Sequence, residues 1–160
     1  MNHTGHPILS SVESSYMDAA DAYAQNAYKS GNLPIGAVIV LDGQIIAGGG
    51  SAIYRPECHP WRHAECEALR GVPHELWKRA HDMTIYTTLE PCIMCLSTLI
   101  LHGVGKIVYG ACDTRGGGCC IMDHLPTFYR DKPLPEIIGP VDSARFDRYY
   151  QIADQLFVAN

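Results

Sequence analysis

The chain has 160 residues, 47% of them hydrophobic and 18% charged. That length and balance suit one folded domain and exclude a disordered chain. Seventeen acidic residues against twelve basic ones give a formal charge of −5, which argues against a surface built to grip a phosphate backbone.

Residues 1–13 are polar and read as an N-terminal arm, with one domain over 14–160. A helix is expected over about 14–30, capped by Ser14 or Ser15, with Tyr16, Ala20, Tyr23, Ala24 and Ala27 along one stripe. Gly31 and Pro34 end it. β-Branched runs at 35–41 and 44–49 flank Asp42-Gly43, a strong hairpin signal. Residues 50–62 carry two prolines and read as a loop. A short helix follows from His63 to about Arg70, then a helical turn around 74–81. Residues 83–88 read as a strand and Pro91 opens a helix over 92–103, with Gly103 as its stop. A strand at 106–110, a Gly-rich loop at 116–118, a short helix at 121–129, a strand at 135–139 and a helix from Asp142 to about Val158 complete the order. Strands alternating with helices after an opening hairpin imply an α/β sandwich with a mixed sheet.

Seven cysteines cannot all pair within the chain, the first residues lack a secretory pattern, and no apolar run is long enough to span a bilayer. Reduced thiols in a cytoplasmic protein, some of them on metal and with no membrane contact, fit this usage. Cys92 and Cys95 stand one turn apart at a helix start, where both sulfurs share a face and the helix end favours thiolates. His63 begins another helix. Together they offer zinc three ligands and leave a fourth position open, as in catalytic sites. Glu65, two residues after His63, is placed to move protons beside the metal. The competing reading is a closed zinc staple, with Cys66 or His59 as fourth ligand and no catalysis. Cys112, Cys119 and Cys120 read as free thiols in preference to a second cluster with His124.

The pairing His63-Ala64-Glu65 with Pro91-Cys92-Ile93-Met94-Cys95 resembles the cytidine/deoxycytidylate deaminase superfamily. The branch it looks like holds bacterial tRNA adenosine deaminases, bacterial guanine deaminase and yeast-type cytosine deaminase. The resemblance runs from about Tyr16 to Asp123 and includes residues 34–40, 88–95 and 107–111. It implies a three-layer α/β/α sandwich around a five-stranded mixed sheet. It also implies one zinc per chain on His63, Cys92 and Cys95, Glu65 as general acid/base, and release of ammonia from an amino-substituted ring. A homodimer, with pockets completed by the neighbouring subunit, is implied too.

Substrate contacts are expected from Ser51, Tyr54, Trp61, Glu90, Pro91, Asp123 and Phe128. Trp61 and Tyr54 precede the first ligand and could stack on a base. Asp123 and Phe128 follow the Gly-rich loop. An asparagine usual before the His-Ala-Glu triplet in close relatives is missing, since none occurs between Asn32 and Asn160. The last helix carries only Arg145 and Arg148 as cations, offset by Asp142, Asp147 and Asp154. These two departures favour a small heterocyclic amine, a free nucleobase or nucleoside, as substrate. tRNA adenosine (wobble A-to-I) deamination is the alternative, and a zinc-stabilised non-catalytic binding protein the third reading.

Overall fold

A computed structural model describes residues 7–159, and within the last helix it describes side chains as far as Leu156. The first six residues of the expected arm lie outside the described residues. The first helix, α1 (Ser11–Lys29), begins earlier than its apolar stripe suggests. Ser10 and Glu13 form a reciprocal cap: the Glu13 N–H donates to Ser10 Oγ (3.2 Å) and the Ser10 N–H donates to Glu13 Oε2 (3.0 Å).

Strands β1 (Gly36–Leu41) and β2 (Gln44–Gly50) form the hairpin. Asp42 and Gly43 both take positive φ (52° and 74°), as a two-residue turn matching strand twist requires. Next come α2 (Ala64–Arg70), a 3-10 segment over His74–Asp82, β3 (Thr84–Leu89), α3 (Ile93–His102) and β4 (Lys106–Ala111). The expected single helix at 121–129 is split. A 3-10 turn covers Cys119–His124 and a separate α4 covers Thr127–Arg130. Pro126 stands at the break, where it supplies no N–H and disfavours helix at the residue before it. β5 (Glu136–Ile138) and α5 (Ser143–Ala159) close the chain.

The five strands pair in the order β2-β1-β3-β4-β5. β1 runs antiparallel to β2 and β3, while β3, β4 and β5 are parallel, so the sheet is mixed. Side chains alternate across it. Ala37, Ile39, Ile85 and Ile107 face α2 and α3, packing on Ala64, Ala68, Leu96 and Leu99. Val38, Val40, Tyr86 and Val108 face α1 and α5, packing on Met17, Ala20, Phe146 and Tyr149. The result is the expected α/β/α sandwich. Two helices, α2 and α3, therefore lie on one face with their N-termini near the carboxyl end of β3. Clefts outside strand carboxyl ends are where open α/β sheets place their ligands.

Candidate metal centre and cavity

His63 and Cys92 are the N-cap residues of α2 and α3, both with extended backbone. The two helices pack on one sheet face, which brings these caps together from distant parts of the sequence. Cys95 lies one turn into α3 and is fully buried. The ligand atoms of His63, Cys92 and Cys95 all lie within 4.8 Å of one another. Cys92 Sγ stands 3.5 Å from His63 Nδ1. Zinc–sulfur and zinc–nitrogen bonds at tetrahedral angles give an S···N edge of ~3.6 Å, so this pair is already spaced for one ion. Among the described residues, neither Cys66 nor His59 joins this group. His59 turns instead to Glu57 and the Trp61 ring. The donor set of one imidazole and two thiols fits zinc.

The electrostatics support the same assignment. The Cys95 thiol donates toward Cys92 and His63 adds its own bond, so the Cys92 thiol falls to about 4 against the opposing effect of burial. Cys95 is pushed up by its bonds to Cys66 and Cys92 and by burial. Burial lowers the His63 imidazole, but its contact with the Cys92 thiolate more than offsets this and raises it. A dication at the three atoms would convert both sulfurs to thiolates.

Glu65 is the second residue of α2 and only 3% exposed. Burial raises its carboxyl, and the neighbouring Cys92 thiolate raises it further. Its Oε1 accepts from the Thr87 hydroxyl of β3 at 3.3 Å. A buried carboxyl with a raised pKa beside a metal-ligand set is equipped to hold and release a proton.

These residues open onto a cavity of about 310 Å³. Its lining places Ser51 and Glu90 together with His63, Glu65 and Cys92, among the residues expected at the site. Ser51 is 3% exposed and its Oγ has no hydrogen-bond partner. The remaining expected contacts lie outside that lining. Tyr54 packs against the cluster of Leu33, Ile53 and Ala153. Trp61 is 62% exposed and rests on His59. Pro91 is buried, and its carbonyl accepts from the Gly118 N–H. Asp123 is exposed on the 3-10 turn, and Phe128 is 61% exposed beside Lys132.

The cavity wall also uses residues that the motifs did not indicate: Asp113, Arg115 and Gly116 from the loop after β4, and Tyr150 and Asp154 from α5. The signal was present in the topology. A loop leaving the carboxyl end of a parallel strand faces the cleft from its first residues, whereas the stretch holding Asp123 and Phe128 has already turned away.

A family model for the cytidine and deoxycytidylate deaminase zinc-binding region matches residues 10–111. The tRNA-specific adenosine deaminase of Bacillus subtilis (strain 168) is 39% identical over 128 residues, covering 79% of this chain and 78% of that protein. The tRNA-specific adenosine deaminase of Haemophilus influenzae is 33% identical over 135 residues, covering 84% and 78%. A chain solved in a study of A-to-I editing by tRNA:A34 deaminases at the wobble position superposes with a TM-score of 0.69 at 30% identity. It covers 79% of this chain and 97% of its own. Guanine deaminase from Nitrosomonas europaea, at 16% identity and a TM-score of 0.69, shares the fold. The relatives overturn the expectation of a free nucleobase or nucleoside as substrate, and with it the small-molecule partner. At 33% and 39% identity over most of both chains they are tRNA-specific enzymes. Net charge averages the whole surface, so it does not decide what meets the rim of one cleft.

Proposed function

Because the chain belongs to the family of the cytidine and deoxycytidylate deaminase zinc-binding region, we propose that this hydrolytic deaminase acts on adenosine within tRNA, at the wobble position. The observation that carries the reading is the identity of 33–39% to tRNA-specific adenosine deaminases over most of both chains. His63, Cys92 and Cys95 would hold the zinc, which would supply Lewis acidity and make water a usable nucleophile near neutral pH. Glu65 then moves the protons. With Oε1 held by Thr87, Oε2 takes a proton from the attacking water and delivers it to the adenine ring nitrogen next to the reacting carbon. Glu65 next takes the proton of the new hydroxyl on that carbon and delivers it to the amino nitrogen; the carbonyl forms as the C–N bond breaks and ammonia leaves, so water and adenosine give inosine and ammonia.

The cavity of about 310 Å³ is at the small end of ligand pockets, which run to ~300–1,000 Å³. It suits one nucleoside taken out of its stack, with the rest of the RNA left outside. Ser51 Oγ, buried and unpartnered, is offered to that nucleoside in the stretch where relatives carry asparagine. Arg115, at the cavity wall and 63% exposed by its side chain, is a cation for a flanking phosphate.

The proposal includes a homodimer. Ile93, Met94 and Leu101 on α3 are exposed at 54%, 37% and 44%, an apolar strip that a second copy would cover. Seven free thiols support a reducing compartment such as the cytoplasm. No helix of the described residues is long and apolar enough to cross a membrane.

The test uses zinc-loaded protein with an anticodon stem-loop RNA bearing adenosine at the wobble position, beside free adenosine, guanine and cytosine. Inosine in the RNA is expected. Ammonia from a free base with no inosine in any tRNA would overturn the reading. Sedimentation at assay concentration tests the dimer.

A further inference from the structure

We propose that Glu90 is a positioning residue, which fixes the cavity wall through the backbone of the loop after β4 and carries no proton in the reaction. Both of its carboxylate oxygens are engaged. Oε2 accepts from the Asp113 N–H at 3.2 Å and Oε1 accepts from the Cys119 N–H at 3.1 Å. The two donors lie at opposite ends of that loop, so one side chain staples it across its base.

The main chain continues the seam. The Glu90 N–H donates to the Ala111 carbonyl (2.8 Å) and the Gly118 N–H donates to the Pro91 carbonyl (2.7 Å). Cys92 bridges Gly117 in antiparallel fashion. A Cβ at Gly117 would lie 2.5 Å from Glu90 Cδ and Oε2, so the carboxylate sits directly on the loop backbone. The burial of Cys119 and then the nearby Glu90 charge push that thiol up to about 12, in keeping with so close a seat.

The stapled loop presents Asp113, Arg115 and Gly116 to the cavity. Among the described residues, its outer end is tied to α5 by two exposed side-chain contacts, Arg115 to Asp154 at 2.7 Å and Thr114 to Tyr150 at 2.7 Å. Exposed pairs of this kind hold weakly. The loop's placement therefore depends on Glu90, which stands two residues before the metal ligand Cys92. One carboxylate thus registers the substrate wall against the ligand turn. Glu65 lines the same cavity, and its Oε1 takes its bond from a side chain, the Thr87 hydroxyl.

The test compares zinc-loaded wild type, Glu90→Gln and Gly117→Ala. An amide in place of the carboxylate turns an NH2 toward one of the two N–H donors and leaves it unpaired. Exchange of the Asp113 and Cys119 amides should quicken by about ten- to a hundredfold in Glu90→Gln. On the stem-loop RNA, KM should rise while kcat and both limbs of the pH profile hold. Gly117→Ala keeps the carboxylate but crowds both it and the Asp113 carbonyl, so it parts the carboxylate from the loop and should reproduce the exchange and the KM change. Loss of a limb of the pH profile in Glu90→Gln, with loop exchange unchanged, would overturn the proposal. So would a wild-type-like Gly117→Ala whose loop amides exchange faster. The kinetic arm rests on the tRNA reading and the exchange arm does not. A wild-type enzyme inert toward RNA would sink that reading, and loop exchange would still decide the role of Glu90.

Discussion

Replacing Glu65 by glutamine keeps shape and burial and removes the exchangeable proton. The side chain is 3% exposed, so no solvent water can take over its task at the same position. General acid/base transfer by a placed side chain contributes roughly 10²–10⁴-fold, which is about 2.7–5.5 kcal/mol of barrier. The Thr87 bond to Oε1 is long at 3.3 Å, and a hydrogen bond weakened by that length is worth about 0.5–1.5 kcal/mol. Glu65→Gln should therefore lose at least about 100-fold in kcat, while Thr87→Val loses about 2- to 12-fold. Both variants should retain zinc, because neither residue is a ligand. Inosine released by nuclease digestion of the RNA gives the rate, and metal analysis of the same sample gives the zinc. Turnover of Glu65→Gln within about threefold of wild type, at full zinc content, would refute the assignment of the proton carrier. So would a Thr87→Val defect as large as that of Glu65→Gln.

Three further outcomes are expected. Cys95→Ser should lose most of its bound zinc and with it activity, since the fully buried sulfur is one of only three protein ligands; metal analysis after dialysis checks this. Arg115→Ala should make the salt dependence of stem-loop binding shallower by about one phosphate contact with kcat at saturating stem-loop RNA unaffected; an unchanged slope counts against a phosphate at that rim. Asp21 is 4% exposed and accepts from Tyr149 (2.5 Å) and Arg145 (2.6 Å). Burial alone would raise its carboxyl, but those bonds outweigh it and hold it below its ordinary 3.8. A lowered folded-state pKa means stability that is present above the unfolded value and lost as pH falls through the folded one. Asp21→Ala should cost about 3 kcal/mol at neutral pH, or about 6–12 °C in Tm, and the gap to wild type should close below about pH 4; thermal melts across pH read it.

Most of the fold was legible because its signals are local. Asp42-Gly43 demanded a hairpin through backbone conformation alone, and Gly103, now at φ 78°, ended α3. The start of α1 was misplaced because its apolar stripe begins at Tyr16, whereas the cap that fixes the helix end is the polar pair Ser10 and Glu13. The break at Pro126 was readable but passed over, because apolar residues on both sides suggested one continuous helix.

The site divides along a different line. His63, Cys92 and Cys95 could be chosen as a metal-holding set from spacing because each stands at or within one turn of a helix start that the sequence marks. Asp113, Arg115, Tyr150 and Asp154 could not, because they reach the cavity through strand order and the packing of α5 on β4, which no short motif encodes. The same distinction bears on the proposed RNA substrate. Seventeen acids and twelve bases describe the whole surface, and several of those acids are already matched: Asp18 and Asp21 to Arg145, Asp42 and Asp82 to Arg79, Glu67 to Arg62. Three arginines against those five acids still leave a net −2 in these pairs, so pairing reduces the acidic balance without removing it, while Arg115 stands at the cavity wall. Its partner Asp154 is bound through an exposed contact that a phosphate, with more acceptor oxygens and charge, can displace. Glu65, Glu90, Asp113 and Asp154 line the same cavity, so the proposed RNA contact rests on Arg115 leaving Asp154 for a phosphate, and the salt dependence of stem-loop binding in Arg115→Ala decides it.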